Sequence, residues 1–215
     1  LCTMVKPNYR YPVGKIIIFA REPVVGKVKT RLASSIGDDE AVKIHIDMLK
    51  NTVEMACDSY LAKVELHVLG NKNHSLFQAL VRQYGITVHL QRGKDLGERM
   101  FYALQHSLDN DAYCLLIGTD CPVMTTDYLA SALDILEQRQ DVVLGPSEDG
   151  GYVLIGARQV QISWFSGISW GSHHVLELSR RKIIASGTRY RELQPLWDID
   201  RIQDLRRWRL QNGTG

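Results

Sequence analysis

The stretch Lys15-Ile-Ile-Ile-Phe19 constrains this chain most. It is continuous, apolar and β-branched, and turn residues end it, so it reads as a buried strand. A loop follows, Ala20-Arg-Glu-Pro-Val-Val-Gly-Lys-Val-Lys-Thr-Arg31, with four cations (Arg21, Lys27, Lys29 and Arg31) around Pro23 and Gly26. Open α/β sheets bind ligands at the loops leaving the carboxyl ends of their parallel strands. A loop so loaded suits a ligand with several negative charges on adjacent atoms, such as a di- or triphosphate. A solvated basic surface loop would have the same composition.

Two familiar phosphate loops do not fit. A Walker-type loop needs a glycine five residues before its Gly-Lys pair and Ser or Thr after the lysine. Here position 21 is Arg and position 28 is Val. A dinucleotide fingerprint needs three glycines in the first turn, and this turn has only Gly26. Phosphates bound here would be held largely by side-chain charge, with backbone amides in support.

The rest of the chain alternates between two periods. Asp38 or Asp39 caps a predicted helix to about Asp58, with Val42, Ile46, Leu49, Val53 and Ala56 on one face. Lys63–Leu69 and Ile86–Leu90 read as strands around a helix from His74 to Tyr84, closed by Gly85. Gln91–Met100 enters a helix with Met100, Phe101, Leu104 and Leu108 inward. Tyr113–Ile117 is the most apolar strand and is expected at the centre. A helix capped by Thr125 or Thr126, strands at 141–144 and 152–155, an aromatic lid or acceptor loop at 165–170, a helix from Ser172 to about Ala185 and a last helix at 201–210 complete the pattern. The order predicts an α/β fold, with crossovers long enough for parallel pairing.

Composition narrows the function. The 215 residues suit one domain, expected over 15–215, preceded by a loose leader at 1–14. A net charge of +2 argues against broad nucleic-acid binding, so an anionic ligand must be captured locally. Cys2, Cys57, Cys114 and Cys121 form no Cys-x-x-Cys, and no apolar run is long enough to span a membrane. A reduced, cytoplasmic setting is the expectation.

Several residues have the chemistry of a site. Asp120 stands where the central strand gives out, in Gly118-Thr-Asp-Cys-Pro122. A carboxylate there points into the ligand crevice and suits a divalent ion shared with phosphate oxygens; it also suits the turn before Pro122. Glu148-Asp149-Gly150-Gly151 joins two strands. Asp-Gly is a hairpin signal, but the added Glu148 makes a carboxylate pair able to orient an acceptor or remove its proton. Asp198 and Asp200 flank Ile199; one would complete a metal site while the other caps the last helix. Gly97-Glu98-Arg99 opens a helix, where anions are favoured, and Arg99 is a phosphate or ribose candidate or a salt-bridge partner. For Arg206, Arg207 and Arg209 a solvated basic face is the expectation.

Five blocks together resemble a known family: Phe19-Ala-Arg-Glu-Pro through Ala33, Asp95-Leu-Gly-Glu-Arg-Met100, Gly118–Pro122, Leu144-Gly-Pro-Ser-Glu-Asp-Gly-Gly-Tyr152 through Gly156, and Asp198-Ile-Asp200. They are similar to those of small bacterial transferases of the GT-A (nucleotide-diphospho-sugar transferase) fold. That family has long been catalogued as a domain of unknown function and is often labelled glycosyltransferase. More distantly the chain is similar to guanylyltransferases of molybdenum-cofactor and phospholactate metabolism. The resemblance implies a three-layer α/β/α sandwich with a mostly parallel central sheet. It implies phosphate binding by Arg21, Lys27, Lys29 and Arg31, and a divalent metal, Mg2+ or Mn2+, on Asp120 with Asp200 or Asp198; Ala20, Gly97, Arg99 and Thr119 complete the expected nucleotide-binding set. Catalysis would fall to Asp149 or Glu148. The chain departs from the pattern at Val25, where the family usually has Pro, and at Trp170-Gly-Ser172, where Trp-Ser-Thr is common.

The expected activity is a metal-dependent transfer from a nucleotide-activated donor, foremost glycosyl transfer from a nucleotide-sugar to a small acceptor. Nucleotidyl transfer from an NTP, releasing pyrophosphate, is the alternative reaction. A non-catalytic nucleotide-binding domain is the alternative of a different class. No nucleic-acid partner is expected.

Overall fold

The computed structural model describes residues 8–211 and 213. Its elements run β1 (Gly14–Arg21), α1 (Thr30–Ile36), α2 (Asp38–Asp58), β2 (Lys63–Leu69), α3 (Ser75–Tyr84), β3 (Thr87–Leu90), α4 (Leu96–Leu108) and β4 (Tyr113–Ile117). They continue with α5 (Thr126–Glu137), β5 (Val142–Pro146), β6 (Tyr152–Ala157), a 3-10 turn (Ile162–Trp164), α6 (Val175–Ala185), β7 (Tyr190–Glu192) and α7 (Ile202–Gln211).

Seven strands form one sheet in the order β3-β2-β1-β4-β6-β5-β7. β6 alone runs against its neighbours; the other pairings are parallel. The architecture is therefore the expected three-layer sandwich with a mostly parallel sheet. Alternation along the strands assigns the core to two layers. Ile16, Ile18, Leu66, Leu115 and Ile117 pack with α2, α3 and α5. Ile17, Phe19, Cys114 and Leu116 pack on the other face with α4 and α6. The apolar run at β1 is explained by this: both faces are covered, so neither parity can be polar.

The chain leaves β1 toward β2 and β3, then crosses back to place β4 on the other side of β1. The carboxyl ends of β1 and β4 thus flank a topological switch point, where the backbone parts and a crevice opens.

Several local expectations change. Residues 8–14, expected in a loose leader, are tied down: the Arg10 and Tyr11 amides donate to Tyr60 and Leu61 carbonyls, and Tyr11 is buried with its hydroxyl on Asp134 (2.5 Å). Residues 1–7 of that leader lie outside the described residues. Helix α1 and strand β7 are short and were not legible as periodic patterns. In α2 the core position is His45 and not Ile46. Helix α6 begins at Val175, three residues after the expected Ser172. Among the described residues no helix is long and apolar enough to cross a membrane.

Candidate nucleotide and metal site

The crevice at the switch point has a volume of about 370 Å³. Ala20 and Arg21 reach it from the end of β1, Thr119 and Asp120 from the end of β4, Arg99 from α4 and Asp198 from the strand-like segment before α7. That segment is docked by backbone. The Ile199 amide donates to the Asp120 carbonyl (2.9 Å), and Leu196 exchanges bonds with Pro146 and Glu148. Buried Ile199 and Trp197 anchor the same stretch in an apolar cluster with Leu32, Met48 and Leu205. Two acids 78 residues apart in sequence are brought together in this way, Asp120 and Asp198.

Asp198 is half-buried and accepts from Ser147 Oγ (3.2 Å). Its carboxyl is pushed up to about 6, first by burial and then by the charges of Asp149 and Asp120. A carboxylate raised by two neighbouring acids marks a spot short of positive charge. Two carboxylates that share an opening with the guanidiniums of Arg21 and Arg99 form a hard-oxygen donor set, which suits Mg2+ or Mn2+.

Asp200 points elsewhere. Its carboxylate receives Arg31 Nη1 at 2.8 Å and lies outside the crevice lining. Nor does Asp200 cap the last helix. The Asp204 carboxylate does so, accepting from the amides of Asp200 and Arg201. The reason is geometric: Ile199 is driven into the core, and its neighbours diverge to different partners instead of projecting side by side.

The four loop cations also separate. Lys29 is buried and pairs with Asp120 (2.9 Å) while donating to the Ile199 carbonyl. It adopts left-handed backbone (φ 50°) at the start of α1, a conformation that costs a non-glycine residue about 1 kcal/mol. Arg31 is engaged by Asp200, and Lys27 is exposed. Arg21 donates to the Lys27 carbonyl (3.3 Å) and faces the crevice. Among the described residues neither Arg21 nor Arg99 is in an ion pair. Arg99 has a buried Nε with no hydrogen-bond partner, and its affinity for a proton is lowered by burial and by Arg21. Two guanidiniums that line one crevice are an arrangement that suits an anion.

Asp149 and Glu148 part company as well. Glu148 is bound by Arg207 (2.7 and 3.2 Å), whose guanidinium stacks on Trp197 at 4.4 Å. This corrects the expectation of a merely solvated Arg207 and occupies Glu148. Asp149 lines a smaller adjoining cavity with Asp198, Trp170 and Ser172. Its Oδ1 accepts from the Gly151 amide (2.9 Å), so the Asp-Gly hairpin turn and the acid are one device. Gly97 sits at the start of α4 under the Trp170 ring; a Cβ there would come within 2.5 Å of it. The absence of a side chain at Gly97 therefore lets Trp170 pack on the start of α4, beside the adjoining cavity. Trp170 Nε1 and Ser172 Oγ are buried here without hydrogen-bond partners among the described residues.

Two contributors were not foreseen. His45 lines the crevice and its Nε2 lies 2.9 Å from the Arg21 carbonyl; burial lowers its proton affinity. Gln91 lines it too, with Nε2 donating to the carbonyls of Ala20 and His67. The periodicity of α2 would have placed position 45 on the core face; no local signal marks Gln91.

The mostly parallel seven-stranded sandwich is of the nucleotide-diphospho-sugar transferase-like fold class. Within it, the chain belongs to the bacterial family described as "uncharacterized protein conserved in bacteria (DUF2064)", whose model matches residues 52–172. No curated protein matches the sequence. Among solved structures, a Desulfovibrio desulfuricans G20 protein provisionally described as a nucleotide-diphospho-sugar transferase superposes with a TM-score of 0.85 at 28% identity, over 94% of this chain and 88% of that one. The 4-diphosphocytidyl-2C-methyl-D-erythritol synthase of Anaerococcus prevotii gives 0.63 at 8% identity, over 94% and 99%. Glucosyl-3-phosphoglycerate synthase of Mycobacterium tuberculosis, solved with Mn2+, UDP and glucosyl-3-phosphoglycerate, gives 0.51 at 10% identity, over 90% and 74%. The last two share the fold.

Proposed function

We propose that this chain is a metal-dependent transferase that moves a glycosyl group from a nucleotide-sugar to a small acceptor. The observation that carries this reading is the crevice itself. Two guanidiniums that form no ion pair among the described residues, Arg21 and Arg99, share it with two carboxylates from distant segments, Asp120 and Asp198. The D. desulfuricans likeness supports the choice of donor class.

In this reading Arg21 and Arg99 hold the donor's diphosphate, and Asp120 and Asp198 hold Mg2+ or Mn2+. When bound, the ion neutralises charge that builds on the departing nucleoside diphosphate. Lys29 keeps Asp120 oriented through one carboxylate oxygen and leaves the other available. Asp149 sits on the acceptor side, where it orients the attacking hydroxyl and takes its proton. Trp170 and Gly97 exclude water from that side.

A second reading, nucleotidyl transfer, is favoured by Lys27, an exposed cation of the same loop whose backbone carbonyl accepts from Arg21 and whose side chain could serve a longer polyphosphate. The engagement of Lys29 and Arg31 by acids weighs against it, since it leaves fewer cations for a triphosphate. One experiment separates the two. Protein incubated with pooled nucleotide-sugars and NTPs plus Mn2+ should release a nucleoside diphosphate under the first reading and pyrophosphate under the second. Release of neither, with thermal stabilisation by nucleotide that ignores Mn2+, would point to a binding-only domain.

Arg99→Ala should raise the donor's KM about 10- to 100-fold, because a charge-assisted contact in a half-buried site is lost (about 1.5–3 kcal/mol). Lys27→Ala, at an exposed position, should raise it about two- to fivefold. Equal effects of the two, measured by steady-state kinetics or calorimetry, would remove Arg99 from the phosphate seat.

A further inference from the structure

The α4 side of the sheet carries a polar cluster that the transferase reading does not use. Glu65 and His67 lie two residues apart on β2, so they share a face. His89 on β3 is the direct partner of His67 in the parallel register. The pattern puts all three over one patch of sheet. Glu65 Oε2 lies 3.5 Å from His67 Nε2 and 3.8 Å from His89 Nε2, and one potential ligand atom from each of the three residues falls within 4.8 Å of the others. Among the described residues this is the one such group of three.

A buried salt-bridge network accounts for part of the arrangement. Lys15 Nζ lies 2.7 Å from Glu65 Oε1 and 2.7 Å from Asp111 Oδ2. That leaves Glu65 Oε2 facing two imidazoles: a long hydrogen bond of 3.5 Å joins it to His67 Nε2, while His89 Nε2 stands 3.8 Å from it and 3.3 Å from Thr87 Oγ1, against about 2.7–3.2 Å for a good bond. The 3.5 Å Glu65–His67 separation matches two atoms that share one ion, and the 3.8 Å Glu65–His89 separation is slightly wider. Ligands at about 2.0–2.1 Å from a tetrahedral metal lie roughly 3.3–3.5 Å from each other. Glu65 divides its oxygens in the manner of an ion-binding carboxylate, one inward and one fixed by an outer partner, here Lys15. A cavity of about 550 Å³, lined by His67, His89, His106, Tyr102 and Asp109, opens onto the group. The His106 ring stands 5.4 Å from that of His89.

We propose that Glu65, His67 and His89 bind a borderline first-row dication of the zinc class, with its remaining position open to this cavity. Two imidazoles and one carboxylate suit such an ion, whereas the carboxylates of the crevice suit Mg2+ or Mn2+. The ion ties the four-residue edge strand β3 to β2. It lies beneath the crevice, joined to it through Gln91, which lines both openings and donates to the His67 carbonyl.

Chelator-stripped protein titrated with Co(II) should bind one equivalent with the visible absorption of a tetrahedral complex, and Zn(II) should displace it and raise the Tm. His89→Gln should weaken Co(II) binding at least tenfold and abolish the absorption. Asp120→Asn/Asp198→Asn should leave both unchanged, which separates this site from the crevice. Should His89→Gln fail to fold, protection of wild-type His89 from diethyl pyrocarbonate by Zn(II) decides the same point. No bound equivalent in the wild type, wild-type affinity in His89→Gln, loss of the signal in the double variant, or modification of His89 undiminished by Zn(II) would each overturn the assignment.

Discussion

Asp120→Asn should reduce metal-dependent turnover at least about a hundredfold while the protein stays folded. The carboxylate is 51% exposed, and its partner Lys29 keeps a second acceptor in the Ile199 carbonyl, so the Tm should move little. Asp200→Asn should instead change turnover less than about threefold, because that side chain is spent on Arg31 in an exposed pair. The comparison is sharp because the family resemblance allows either Asp198 or Asp200 as the second ligand, while the geometry favours Asp198. Steady-state rates at saturating and limiting Mn2+ check it. A loss in Asp200→Asn equal to that in Asp120→Asn would move the metal to the outer acid.

Gly150→Ala should lower stability by about 2–4 kcal/mol, read from urea unfolding. Gly150 has φ +91°, and a Cβ there would fall 2.1 Å from the His173 carbonyl oxygen. Backbone, unlike a long side chain, has little room to yield. The contact is reinforced by the Leu176 amide donating to the Gly150 carbonyl (2.9 Å), which pins the Asp149 turn to the start of α6. Gly171→Ala is the control. Its φ is +88° with nothing within 4 Å, so it reports the backbone cost alone, about 1–2 kcal/mol. Equal losses at the two positions would mean that the packing against His173 is not what the turn depends on. Loss of the pinning should also lower turnover, since Asp149 would no longer be held beside Asp198.

Much of the fold was legible because its signals are local. Ile16-Ile-Ile-Phe19 and Tyr113–Ile117 announce strands covered on both faces, and both became neighbours at the sheet centre. Helices α2 to α5 carry apolar stripes, and α3 to α5 carry caps that a single turn of chain defines, such as Asp95 and Thr125 accepting from amides three residues on; the expected cap of α2 by Asp38 or Asp39 is not formed, because both lie inside the helix and Gly37 holds the cap position. What failed was short or contextual. Helix α1 has no side-chain cap, and β7 has three residues, so neither offers a period to read. The reversed strand β6 follows from an Asp-Gly turn, and that same turn sets Asp149 facing Asp198.

By itself, the sequence determined the kinds of elements, their order, and the position of acids and cations at strand ends, because period, branching and turn chemistry act over a few residues. The tertiary structure decided which charges meet. Only the docking of the Asp198 segment on Asp120 separates an inward acid from an outward one, and only strand register sets His67 beside His89. Pairing of charges depends on segments far apart in the chain, and no local pattern encodes that distance.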